Sequence, residues 1–225
     1  MATVRFIVLA DRRSGSHLLQ SALDQHPEVR CRRELLLPIR TRGEADARRY
    51  VQERLFASDA TATGFILHRE HWRTSFQREV WQELAADPGL RVIDLRRRDF
   101  LRRLVSERVL RLWKYAGESE PVIRLDVADA VADFRMIADG WLLAASMFAS
   151  QQVLRVDYET DLVEKWNGTM SLVQDFLGVP RRIIEPVTKP SPHQDLRILI
   201  KNYAELAAGL RATRWEHLIA TERDS

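Results

Sequence analysis

Residues 4–10, VRFIVLA, form a mostly apolar run rich in β-branched side chains that stops abruptly at the polar stretch DRRSGS. The run reads as a strand, and HLLQSALDQH beyond the turn places apolar residues at helical spacing before Pro27. Strand, turn and helix in that order constrain the fold more than any other feature here. A strand that feeds a helix returns most readily as a parallel neighbour. Further strand-like runs at 64–67, 90–95, 122–125 and 153–156 each precede a longer helical stretch. The expected class is therefore α/β, a three-layer parallel sheet flanked by helices.

Between these runs, residues 126–150 keep apolar side chains at helical spacing without a proline, which predicts a long, largely buried helix with Trp141, Met147 and Phe148 in the core. Residues 181–194 carry Pro186, Pro190 and Pro192 in a basic stretch and predict a loop folding back over the sheet, with helix resuming at LRILIKNYAEL. A chain of 225 residues with 45% hydrophobic composition has enough apolar side chain for one sizeable core, so 1–225 is expected to be a single domain. Cys31 stands alone, which excludes an internal disulfide and a thiolate metal cluster, and fits a reducing, cytoplasmic setting. The apolar opening is too short to span a membrane and lacks a cleavage pattern, so no stable membrane insertion is expected.

The 35 basic and 32 acidic residues nearly balance, so the formal charge of +3 does not mark a general nucleic-acid binder. Lysine occurs only at 114, 165, 189 and 201, and the remaining basic residues are arginines, whose forked guanidinium suits phosphate or sulfate oxygens.

In a parallel sheet the first strand-to-helix turn commonly holds an anion against the helix N-terminus, and RRSGSHLL occupies that position. Gly15 lets the backbone approach an oxyanion, Ser14 and Ser16 add hydroxyls, and Arg13 adds a fixed charge. The plainer alternative is an ordinary turn with Ser16 as helix cap. No Gly-Lys pair occurs anywhere, so a Walker A loop and its usual nucleotide hydrolysis are excluded. A second basic cluster, LRVIDLRRRDFLRRLVSERVL, runs from a strand end into a helix starting near Asp99. Arg98 and Ser106 are eight positions apart, slightly over two helical turns. They converge on one phosphate only if the turn directs Arg98 back. Otherwise the arginines form a solvated face.

Together the two clusters resemble the bacterial branch of the family of sulfotransferases that use 3'-phosphoadenosine-5'-phosphosulfate (PAPS). That family places a Lys/Arg-Ser-Gly-Ser/Thr loop after its first strand, and an Arg at a later strand end with a Ser eight positions on; Arg98, Asp99 and Ser106 match, and Arg97 is an alternative register. VDYETDLVEKWNGTMSLVQDFLGV and KPSPHQDLRILIKNYAEL extend the likeness over most of the chain. The resemblance implies a P-loop-NTPase-like sulfotransferase fold, PAPS as co-substrate and PAP as product, with no obligatory metal. It implies that Arg13 stabilises the bridging oxygen, that Ser14, Gly15, Ser16 and His17 bind the 5'-phosphate, and that Arg98 and Ser106 hold the 3'-phosphate.

The same resemblance suggests Glu34, in HPEVRCRRELL, as the base for the acceptor hydroxyl, acting with a raised pKa, ahead of His71 in GFILHREHW; His68 is a weaker rival. The alternatives are a carboxylate paired with Arg32 or Arg33 and a merely hydrogen-bonded histidine. Ile66 stands where many members have Lys, and Leu18 where some have an adenine-stacking aromatic. Tyr158 and Lys189 are the remaining candidates for nucleotide contact. His26, His68, His71, His193 and His217 form no recognised metal motif. The acceptor, carbohydrate, glycolipid or small molecule, would be chosen by loops such as 40–47 and 181–194. Oligomeric state stays open. Two rival readings remain: another nucleotide-dependent transferase or kinase, and a nonenzymatic module binding RNA or a partner through Arg96 to Arg103.

Overall fold

The computed structural model describes residues 3–36, 43–44, 46–72, 74–116, 122–187 and 195–220. The chain divides into two compact units, Met1–Arg97 with Gly140–Lys189, and Arg98–Asp139 with Pro190–Ser225.

The first unit is built on five parallel strands, β1 (Val4–Ala10), β2 (Val29–Arg32), β3 (Ala62–His68), β4 (Arg91–Arg96) and β5 (Gln152–Asp157), in the order β2-β3-β1-β4-β5. Alternation along β1 decides the layers, because successive side chains leave opposite faces. Phe6, Val8 and Ala10 join one core cluster with α1 (Ser16–Leu23), while Ile7 and Leu9 join the other, which packs α2 (Ala47–Tyr50), the π-helical turn Val51–Leu55 and α3 (Ser75–Ala85). Burying such side chains stabilises by about 1.5–3 kcal/mol each. Gly64 of β3 lies so close to the backbone carbonyl and ring of Phe6 that any side chain there would collide with β1.

Along the chain there follow α4 (Phe100–Ala116), α5 (Val127–Met147), α6 (Trp166–Leu177), α7 (Leu196–Leu199), α8 (Tyr203–Arg211) and α9 (His217–Ala220). Met170, Val173 and Leu177 of α6 complete the first cluster, and Ala144 and Phe148 complete the second, giving the expected three layers. In the second unit Phe100, Phe134 and Trp215 stack with centroids 5.3–6.1 Å apart, and Arg103 is ion-paired with Asp133.

Several elements differ from expectation. Residues 122–125 are not a sheet strand: Ile123 makes a single parallel bridge to Ile200. Ile123 bonds through its backbone to Leu199 and Lys201 (2.8 Å each), but at Leu125 a side chain takes over: Asn202 accepts from the Leu125 N–H (3.0 Å) and donates to its carbonyl (2.9 Å). VRCR, too short and too charged to stand out, forms edge strand β2, with Val29 and Cys31 inward. The helix at 126–150 is not largely buried. Phe148 is core, but Trp141 and Met147 are half-buried, and Met136, Leu142 and Leu143 face water, a reminder that apolar spacing alone does not tell which positions are covered. LRILIKNYAEL breaks at Ile200 into α7 and α8. Residues 181–187 are irregular as expected, with Ile184 in the core, whereas 188–194 and so Lys189 lie outside the described residues. No described helix is long and apolar enough to cross a membrane.

Candidate active site

Central strand β1 ends at Ala10, and the chain turns sharply before α1. Arg13 adopts φ 63° and Gly15 φ 92°, two left-handed residues within three positions. For a non-glycine residue this conformation costs energy, so the surrounding contacts must hold it. They do so from below: the buried Ser14 hydroxyl donates to the Asp11 carbonyl at 2.7 Å. Arg97, just after β4, donates to the Arg13 carbonyl at 3.0 Å and lies 4.8 Å over the Tyr158 ring. Tyr158 in turn presses against Gly15, where a Cβ would come within 2.5 Å of the ring. Gly15 rather than Ser16 is the helix cap, and Ser16 begins α1. The first-turn amides of Ser16, His17 and Leu18 have no intrahelical acceptor, so they are available to an anion. The Leu18 side chain itself is buried in the core.

A buried ion-paired network lies under this loop. Arg69, one residue past β3, donates to Asp11 Oδ2 at 2.9 Å and pairs with Asp94 of β4; Asp94 also binds Arg96 at 2.7 Å. Trp141 Nε1 donates to Asp11 Oδ2 at 2.8 Å, and Arg96 lies 4.7 Å over the Trp141 ring. The ends of β1, β3 and β4 are thereby tied together. The sequence offered no motif for Arg69, Asp94 or Trp141. Only Asp11, between strand and loop, sat where it could have been suspected.

A second cluster stands beside the loop. Glu34, two residues past β2, accepts a hydrogen bond from His17 Nε2 at 2.7 Å, and His68 Nε2, at the end of β3, lies 3.8 Å from the same carboxylate oxygen and 3.4 Å from the Ser16 hydroxyl. Burial tends to raise the Glu34 pKa, but the His17 hydrogen bond, a bond to its own amide and the charges of His17 and His68 outweigh it and hold it down to about 2. This corrects the expected raised value, and the partner is His17 rather than Arg32 or Arg33. Burial first, then the neighbouring His71 charge, pushes His68 down to about 3, against the opposing pull of Glu34. His71 is buried, its ring 5.3 Å from that of His68. His68, Glu70 and His71 hold ligand-type atoms within 4.8 Å of one another, although Arg12 is ion-paired with Glu70 and sets a guanidinium beside any cation there.

Arg13, Ser14, Gly15, Ser16, His17, Glu34, His68, His71 and Tyr158 thus all belong to the first unit. Arg98, exposed before α4, and Ser106, half-buried within α4, belong to the second unit.

A parallel sheet with helices on both faces and a left-handed turn after its central strand defines an α/β fold that hosts many activities, and comparison makes it specific. The chain is 30% identical over 202 residues to nodulation protein H of Rhizobium meliloti, covering 78% of this chain and 77% of that protein, and 28% identical over 193 residues to nodulation protein H of Rhizobium tropici, covering 78% and 76%. The crystal structure of a sulfotransferase from Alicyclobacillus acidocaldarius superposes with a TM-score of 0.51 at 16% identity, covering 98% of this chain and 97% of that one. No family model matches. The chain belongs to the nodulation protein H family of sulfotransferases. It is an enzyme that transfers a sulfuryl group to an acceptor.

Proposed function

We propose that the sulfuryl donor is PAPS, that PAP is released, and that the acceptor is a hydroxyl of a carbohydrate, glycolipid or small molecule in a reducing cytoplasm. The observation that carries this reading is the strained Arg13–Gly15 turn, pinned by Ser14, Arg97 and Tyr158 ahead of free first-turn amides in a chain of sulfotransferase family. Such a loop binds a tetrahedral anion through preorganised donors.

In this reading the amides of Ser16, His17 and Leu18 with the hydroxyls of Ser14 and Ser16 bind the 5'-phosphate. Arg13 neutralises the bridging oxygen as its bond to sulfur breaks. Tyr158 and Arg97 shape the loop wall, and Lys189 is a further contact. Arg98 and Ser106 take the 3'-phosphate, an assignment supported by their spacing. The acceptor hydroxyl loses its proton at the Glu34 cluster, with His71 as the secondary candidate and His68 as its weaker rival. Residues 1–225 are read as a single sulfotransferase domain, and no metal is required.

Differential scanning fluorimetry with PAP, ATP, GTP and NAD tests the donor. PAP should raise the melting temperature most, because a ligand specific for the folded state stabilises it by mass action. A larger rise with ATP or GTP and none with PAP rejects PAPS.

A further inference from the structure

We propose that His17 is the residue that takes the acceptor's proton, with Glu34 as its orienting partner; this deepens the reading above and rests on it. The geometry is that of a carboxylate–imidazole pair. Glu34 Oε1 accepts from His17 Nε2 at 2.7 Å, and the Glu34 side chain is only 15% exposed whereas that of His17 is 55% exposed. An ionised carboxylate can only accept, so the proton of the neutral imidazole sits on Nε2 and the lone pair is on Nδ1. The group a substrate can reach with a free lone pair is therefore the ring, not the carboxylate.

The charged neighbours agree with this division. Glu34, low in pKa and already accepting from His17, is a weak base, whereas an imidazole suits proton transfer near neutral pH. His68 also faces Glu34, but it is buried and its pKa is pushed far down, with the Arg12 and His17 charges contributing to that fall. His17 is the second residue of α1, two positions after Gly15, so its ring stands beside the 5'-phosphosulfate in the proposed complex. Glu34 would stabilise the imidazolium as it forms, the role of the acid in a catalytic triad.

The step balances without a further reactant. The acceptor oxygen forms its bond to sulfur as its proton passes to His17 Nδ1. The bond from sulfur to the bridging oxygen breaks, and its electron pair stays on the 5'-phosphate of PAP. The imidazolium then returns the proton to solvent.

The test uses the full chain with PAP and radiolabelled PAPS, water serving as acceptor. In 15N-histidine-labelled protein saturated with PAP at pH 8, long-range 1H–15N correlation should show His17 protonated at Nε2 and bare at Nδ1. His17→Gln should slow PAPS hydrolysis by about 10²-fold or more and remove the acidic limb of the pH profile. Glu34→Gln, whose amide oxygen can still accept from Nε2, should slow it far less and keep a limb at lower pH. A proton on Nδ1 overturns the assignment, and decides alone if water is too poor an acceptor for a rate to be read. A limb kept in His17→Gln but lost in Glu34→Gln makes Glu34 itself the base. In both cases wild type still binds PAP by calorimetry. Absence of PAP binding by wild type instead removes the donor reading and this inference together.

Discussion

Two charged clusters sit at the carboxyl edge of one sheet and are built on opposite terms. Asp11, Arg69 and Asp94 are all buried, and each carboxylate meets a guanidinium. His17, Glu34 and His68 form a graded series, from half-exposed to buried, in which one carboxylate oxygen serves two imidazoles. The first group is a set of buried charges paired with one another, which fixes positions. The second offers imidazole nitrogens around a carboxylate, groups that can accept and release a proton. A transferase needs both, because an anion site must be rigid where charge develops and adjustable where the nucleophile is activated.

The sharpest way to break the contrast is to remove the holding arginine. Arg69→Met leaves Asp11 and Asp94 with a lost partner in a buried site and should cost about 3–5 kcal/mol of stability in urea unfolding. Adding Asp11→Asn and Asp94→Asn should recover much of that loss. If the single variant unfolds at the wild-type urea concentration, the network holds nothing. Next in size, Arg13→Ala should lower PAPS turnover by about 10²-fold with little change in stability, since it removes a preorganised charge from the loop rather than from beneath it. Steady-state rates near wild type would reject the role given to Arg13. Arg98→Ala should weaken PAP binding by about tenfold, the loss of one charge-assisted hydrogen bond. Unchanged affinity by calorimetry removes Arg98 from the nucleotide site.

These predictions also mark what a reader of the sequence alone could see. β1, the turn and α1 were legible because apolar periodicity and Gly15 act locally. β3, β4 and β5 were legible for the same reason. β2 was not, because four residues with two arginines look like a turn until β3 supplies a partner. The false strand at 122–125 failed on a fact no local pattern carries, the side chain of Asn202, 77 positions from Leu125. The site divides in the same way. Arg13, Gly15 and Glu34 could be named from motifs, whereas Arg69 reaches Asp11 across 58 positions and Trp141 reaches it across 130. The His17–Glu34 contact has no local signature, because the 17 positions that part them contain the rest of α1 and strand β2, whose packing brings the two together.

The last test probes the His68 and Glu34 pair without any substrate. His68 is held down from 6.5 to about 3, so in the folded protein it stays neutral while the unfolded chain takes up a proton. A depressed pKa contributes stability that is fully present above the unfolded value and is lost as pH falls toward the folded one. Wild type should therefore lose stability from about pH 6.5 downward on account of His68. Glu34, lowered from 4.5 to about 2, adds a loss with the same sign that begins near pH 4.5. Urea unfolding at pH steps from 7 to 3 separates them: His68→Gln should flatten the upper part of the curve, and Glu34→Gln only the lower. If His68→Gln keeps the wild-type slope between pH 6.5 and 4.5, the imidazole is not buried neutral. The cluster would then be as fixed as its neighbour, and the contrast between the two would collapse.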